Sequence, residues 1–209
     1  MDPYKVTFET WNKVAKLYEE NFMELSIYNE SYDLFCHQIS ASDPTIFEIG
    51  CGPGNITQYL LQKIPNLNID AIDIAPSMVA LAQKNNPKAI VWIQDSREID
   101  SVNSKYNAVV CGFCIPYLSQ SDVSKLIFNC SNLLLDGGCI YLSFVEGDYL
   151  NSGYQTSSSG DKAYFYFHDL ANIISILDNN GFNIINQLVA FYDRKNGEKE
   201  KHTILIAKK

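Results

Sequence analysis

Apolar residues in the opening segment recur at three-and-four spacing, through Phe8, Trp11, Val14, Ala15, Tyr18 and Phe22. A second stripe runs through Tyr28, Tyr32, Phe35, Cys36 and Ile39, so two amphipathic helices are predicted at the start of the chain. From Asp43-Pro44 onward the texture changes to short β-rich apolar runs at 45–49, 67–72, 89–93, 108–111 and 139–145. Helical patterns over 55–64, 76–84 and 121–135 separate most of them. Strands alternating with helices predict crossover units on a mostly parallel, Rossmann-like α/β sheet. A last helix over 169–180 ends at Gly181, and two further strands, 182–192 and 203–207, flank a turn containing Asn196-Gly197. That turn predicts an antiparallel hairpin closing the sheet, for seven strands in all. Between Glu146 and Phe167 the rhythm breaks into a stretch rich in Ser, Gly and Tyr, read as a lid or substrate loop. The chain thus reads as one domain, 1–209. It comprises a helical cap (1–42), a ligand-binding core (43–145), the lid (146–167) and a closing helix with hairpin (168–209).

Composition narrows the partners. Sixteen basic and 24 acidic residues give a net charge of −8, without the basic stripe that nucleic acid or anionic lipid requires. No window approaches the ~18 apolar residues of a spanning helix, and Met1-Asp2-Pro3-Tyr4-Lys5 has no apolar signal core. A cytoplasmic protein is expected, with neither nucleic acid nor membrane as partner. The six cysteines are expected to be buried thiols.

The strongest local signal is Glu48-Ile49-Gly50-Cys51-Gly52-Pro53-Gly54-Asn55, placed after the first strand and opening a helix. Glycines there permit a sharp turn and close approach of a ligand to helix N–H groups, which implies a nucleotide-like ligand. The dinucleotide fingerprint would need a glycine at Asn55 or Thr57, so pyrophosphate binding is disfavoured. Asp73 ends the next strand, where such folds place a ribose-binding carboxylate. Asp95, followed by Ser96, ends the third and suits an exocyclic amine such as that of adenine. Cys111-Gly112-Phe113 ends the fourth, beside the expected position of the glycine loop.

Glu-x-Gly-x-Gly-x-Gly, Asp73, Asp95 and the helical lead-in together resemble the class I S-adenosylmethionine-dependent methyltransferases of small molecules, over nearly the whole chain. The resemblance implies S-adenosylmethionine as cofactor, S-adenosylhomocysteine as product and a small-molecule methyl acceptor. It implies that Gly50, Cys51 and Gly52 line the methionine moiety, with Glu48 beneath it. By the same resemblance Asp73 holds the ribose, Ile74 and Met78 cover the adenine, and Asp95 with Ser96 meets its amine. Cys111 and Phe113 would flank the sulfonium, and Tyr18 would fold over the cofactor. Many small-molecule members carry a histidine after the fourth strand, where this chain reads Ile115-Pro116-Tyr117-Leu118. Tyr117 is a catalytic candidate there. His168 is the other, at the end of the aromatic run Tyr164-Phe165-Tyr166-Phe167.

Two rival functions stay open: a dinucleotide-dependent oxidoreductase, and a noncatalytic nucleotide-binding partner subunit. The pair Cys111-x-x-Cys114 follows a strand rather than opening a helix, which argues against thiol–disulfide chemistry. His37 and His202 are expected to be structural or exposed, and no metal cluster is expected from the histidine spacing. At least one of Tyr149, Tyr154, Tyr164 and Tyr166 is expected to line the substrate site. The leading helices around Tyr18 and Tyr28 are the other place where acceptor specificity can reside.

Overall fold

The computed structural model describes residues 2–157, 160–194 and 197–209. Ser158 and Ser159 of the serine run, and Asn196 of the hairpin turn, lie outside the described residues. The elements follow in the order α1 (Pro3–Phe22), α2 (Asn29–Cys36), β1 (Thr45–Ile49), α3 (Asn55–Lys63), β2 (Asn68–Asp73), α4 (Pro76–Asn85), β3 (Ile90–Ile93) and β4 (Tyr106–Gly112). Then come α5 (Gln120–Leu133), β5 (Leu134–Val145), β6 (Gly153–Thr156), β7 (Lys162–Phe165), α6 (Leu170–Asn179), β8 (Asn183–Asp193) and β9 (Lys199–Lys208). Seven strands form one sheet in the order β3-β2-β1-β4-β5-β9-β8. Its first five strands are parallel, and β9 runs antiparallel between β5 and β8.

Strand periodicity divides the core into two layers. Phe47, Ile49, Val109, Cys111, Ile140 and Leu142 face α5 and α6, against Val123, Leu126, Ile127, Ile173 and Leu177. Their neighbours Ile46, Ala108, Val110, Cys139 and Tyr141 face the opposite way, with Phe35, Ile56, Leu60, Val79 and Ala82 of α2, α3 and α4. With both faces covered, β1 and β4 read as continuous apolar runs.

The region expected to be an irregular lid contains a two-stranded hairpin, β6 with β7, laid along α1. Tyr164 N–H donates to Thr7 Oγ1 at 2.9 Å, Thr10 Oγ1 donates to the Lys162 carbonyl at 2.5 Å, and Tyr166 N–H donates to the Pro116 carbonyl at 2.7 Å. The strands are four residues each, too short and too polar to stand out from a loop by pattern. Among the described residues no helix is long and apolar enough to cross a membrane.

Candidate active site

The glycine loop joins β1 to α3, and its shape depends on backbone that side chains resist. Gly50, Gly52 and Gly54 have φ of 69°, 54° and 84°. Gly50 N–H and Cys51 N–H both donate to the Ile72 carbonyl, at 2.8 and 2.9 Å, which docks the loop on the end of β2. Asp73 completes the cradle: one carboxylate oxygen accepts from Gly52 N–H at 2.9 Å, the other from Ala75 N–H at 2.8 Å. Burial raises its pKa, with these backbone donors opposing the rise.

A cavity opens at this end of the sheet. Gly50, Gly52 and Asp73 form its floor, Ile74 and Met78 one wall, Gln94, Asp95 and Ser96 its polar end, and Tyr18, Trp11 and Phe8 of α1 its roof. The ring of Tyr18 is 3.7 Å from where a Cβ on Gly52 would stand, so a side chain there would point into the cavity. An acid facing a glycine cradle, beside an apolar slot with a polar end, fits a nucleoside-bearing ligand.

A second, inner cavity shares Trp11, Tyr18, Gly50, Gly52, Gly112, Phe113 and Tyr117 with the first. It continues between Phe22, Tyr28, Tyr32, Phe165 and Tyr192 to Glu200 and His202. The junction is an aromatic cluster, with Trp11 edge-on to Tyr18 at 5.5 Å and to Tyr117 at 5.3 Å. Phe113 reaches it through a left-handed backbone, φ 53°, held by its N–H donating to the Ser143 carbonyl and hydroxyl at 3.1 and 3.0 Å.

Among the expected site residues, Tyr18, Gly50, Gly52, Asp73, Ile74, Met78, Asp95, Ser96 and Phe113 line the first cavity, and Cys51 lines the inner one. Glu48 lies outside both. It is 1% exposed and accepts from Thr57 Oγ1 at 2.5 Å, tying β1 to α3 around the loop. Burial raises its carboxyl to about 8.

Asp95 is not free to serve as a dedicated acceptor for a ligand amine. Its oxygens accept from Arg97 Nε at 3.0 Å, Arg97 Nη2 at 2.5 Å and Arg97 N–H at 2.9 Å. Burial would raise its pKa, but these donors outweigh burial and hold it below the usual carboxylate range.

Three expectations are corrected. Cys111 is not among the residues lining either cavity: it shares a strand face with Val109, is fully buried in the layer toward α5, and it is Gly112, Phe113 and Cys114 that line the first cavity. A hydrogen bond with Cys114 and burial push the Cys111 thiol well up, which leaves it inert. His168 does not face substrate. It is 1% exposed, its Nε2 lies 2.9 Å from the Ile115 carbonyl, and burial lowers its pKa. Tyr149, Tyr154, Tyr164 and Tyr166 pack among themselves or on Tyr4, and among the described residues of 146–167 it is Phe165 that lines the inner cavity.

His202 was expected to be structural or exposed; it is buried, hydrogen-bonded to Glu200 and Tyr28, and lines the inner cavity. The signal available in the sequence was period two along Lys199, Lys201 and Thr203, which turns His202 to the face opposite the exposed lysines.

Residues 46–138 match the family described as methyltransferase domain. The chain is 28% identical over 137 residues to a putative methyltransferase of Invertebrate iridescent virus 6, covering 65% of this chain and 49% of that protein. It is 33% identical over 107 residues to a malonyl-[acyl-carrier protein] O-methyltransferase of a Paenibacillus species, covering 48% of this chain and 38% of that one. It therefore spans half or less of the length of these relatives. Among solved structures, magnesium protoporphyrin IX methyltransferase from Synechocystis, with bound S-adenosylhomocysteine, superimposes with a TM-score of 0.73 at 17% identity, covering 100% of both chains. Residues 46–138 are thus similar to the methyltransferase-domain family, and the whole chain shares the fold of that solved methyltransferase.

Proposed function

We propose that this chain transfers the methyl group of S-adenosylmethionine to a small molecule held in the inner cavity, leaving S-adenosylhomocysteine. The observation that carries the reading is Asp73, whose carboxylate braces the glycine loop through Gly52 while facing the first cavity. One acceptor position remains on each carboxylate oxygen, so Asp73 can brace the loop and still take ribose hydroxyls. Ile74 and Met78 cover the base from one wall, and Gly50 and Gly52 admit the amino-acid tail where a Cβ would intrude. The cofactor, when bound, supplies an electrophilic methyl group on a sulfonium sulfur. The chain's own contribution is to align an acceptor with that carbon across the junction of Trp11, Tyr18 and Tyr117. Burial pushes the Tyr117 phenol far above its ordinary value, so it acts there as a hydrogen-bond donor rather than as a base. The β6–β7 hairpin contributes Phe165 to the acceptor side. A net charge of −8 and six free thiols favour a small-molecule acceptor in a reducing, cytoplasmic setting.

Calorimetry tests the reading. S-adenosylhomocysteine is expected to bind with a Kd on the order of micromolar, and NAD is not expected to bind. Binding of NAD without S-adenosylhomocysteine would assign the crevice to a dinucleotide instead. Asp73→Ala is expected to weaken S-adenosylhomocysteine binding by about 1.5–3 kcal/mol, through loss of a charge-assisted bond. Unchanged affinity in the folded variant would reduce Asp73 to a brace of the loop.

A further inference from the structure

Glu200, His202 and Tyr28 form a hydrogen-bonded chain on the inner cavity that the methyl-transfer reading leaves without a task. Glu200 Oε2 lies 3.0 Å from His202 Nε2, and Tyr28 Oη lies 2.6 Å from His202 Nδ1. The other Glu200 oxygen accepts from Arg194. Burial would raise the Glu200 carboxyl, but hydrogen bonds from His202 and Arg194 outweigh it and keep the group ionised at neutral pH. An ionised carboxylate can only accept, so Nε2 carries the proton of the neutral imidazole and Nδ1 accepts from the Tyr28 hydroxyl. The ring is fixed between Tyr28 and Tyr192, at interplanar angles of 15° and 10°, with Phe113 edge-on at 4.7 Å. His202 is 5% exposed, so both ring nitrogens meet these side-chain partners rather than solvent. Around the imidazole the titratable and charged groups are Glu200 and Arg194 at the β8–β9 end, Tyr192 on β8 and Tyr28 ahead of α2. Glu146 at the end of β5 is paired with Lys201.

We propose that Tyr28 and His202, anchored by Glu200, take the proton from the methyl acceptor, and that the acceptor is an uncharged aromatic compound methylated on a hydroxyl. The proposal rests on the methyl-transfer reading. Nine aromatic rings line the inner cavity, and among the described residues no lysine or arginine does, so a flat neutral body fits and a carboxylate, facing Glu200, does not. A phenolic hydroxyl ionises near 10, within reach of a carboxylate-supported imidazole, whereas a ring N–H is far less acidic. The step balances as follows. The acceptor O–H gives its proton to Tyr28 Oη as the Tyr28 proton passes to His202 Nδ1. The freed oxygen lone pair forms the O–CH3 bond, and the electron pair of the breaking C–S bond stays on sulfur. The imidazolium then releases its proton to solvent after product leaves.

The test uses the parent, His202→Asn, Tyr28→Phe and Glu200→Gln with two acceptor probes, 1-naphthol and, as the carboxylate comparison, succinate, and a methyl-labelled donor. Both His202→Asn and Tyr28→Phe are expected to lower kcat for 1-naphthol about 100-fold or more, with S-adenosylhomocysteine affinity unchanged by calorimetry. Glu200→Gln is expected to lower kcat less than His202→Asn does, because the glutamine oxygen can still accept from Nε2–H and hold the ring in place. Nitrogen-15 NMR of the ligand-free parent should show the Nε2–H tautomer. A parent-like rate in His202→Asn, an Nδ1–H tautomer, or a parent that methylates succinate or neither probe would overturn the proposal. A parent that fails to bind S-adenosylhomocysteine would instead overturn the methyl-transfer reading beneath it, whatever the tautomer.

Discussion

Between pH 4.5 and about 8 the protein is expected to lose stability as pH rises, and Glu48→Gln is expected to abolish most of that loss. The buried Glu48 carboxyl holds its proton up to about 8 in the folded chain, against an ordinary value of 4.5. Within this window the folded state therefore binds more protons than the unfolded state, and the linkage sign makes unfolding easier as pH increases. The stabilisation is fully present below 4.5 and gone above the folded value. Burial without a cationic partner is the cause: one oxygen accepts from Thr57, and the other has no partner among the described residues. A shift of this size corresponds to on the order of 5 kcal/mol across the window. Glutamine keeps the acceptor for Thr57 and removes the titration. Denaturant unfolding at a series of pH values measures both curves, and parallel curves would mean that Glu48 is hydrated or paired in solution.

Gly54→Ala is the second large effect. Gly54 caps α3 with φ 84° and ψ 31°, and an added Cβ would stand 2.3 Å from Asn86 Nδ2 and 3.3 Å from the Ala82 backbone. That amide nitrogen donates to the Gly54 carbonyl at 2.9 Å and ties the start of α3 to the end of α4. Left-handed backbone and the displaced, buried Asn86 together are expected to cost about 2–4 kcal/mol. Gly181, with φ 80° and open space around its Cβ position, is the control, expected to cost only ~1 kcal/mol as alanine. Urea midpoints at constant m-value compare the two. Equal losses would show that Asn86 moves aside freely.

All seven sheet strands and six helices are legible in the chain, because apolar runs flanked by turn residues carry most of the burial. Asp73 is legible for a local reason: a strand-end acid one crossover after a glycine loop has few other places to go. Cys111 misleads because proximity to the strand end says nothing about side. Its parity with Val109 and Phe113's left-handed turn decide the outcome, and only the first is written in the spacing. The β6–β7 hairpin is hard to read because its strands are four residues each and, beyond their own pairing, they are positioned by the Thr7 and Thr10 hydroxyls of α1 and the Pro116 carbonyl, far away in the sequence. His202 hides among charges, since the Lys-Glu-Lys that opens β9 reads as a solvated turn. Its partner Tyr28 lies in another part of the sequence altogether.

The insertion of β9 between β5 and β8 sets an order of assembly. The glycine loop, Asp73 and the Gln94–Ser96 end come from successive neighbouring crossover units, whose loops close cheaply and early. The hydrogen bond between Tyr28 and His202 spans 174 residues, and it can form only when the last strand has entered a sheet whose two flanking strands are already made. Contacts of such separation form late and slowly. A chain still emerging from the ribosome therefore acquires the glycine loop and Asp73 first and the cavity wall bearing His202 last.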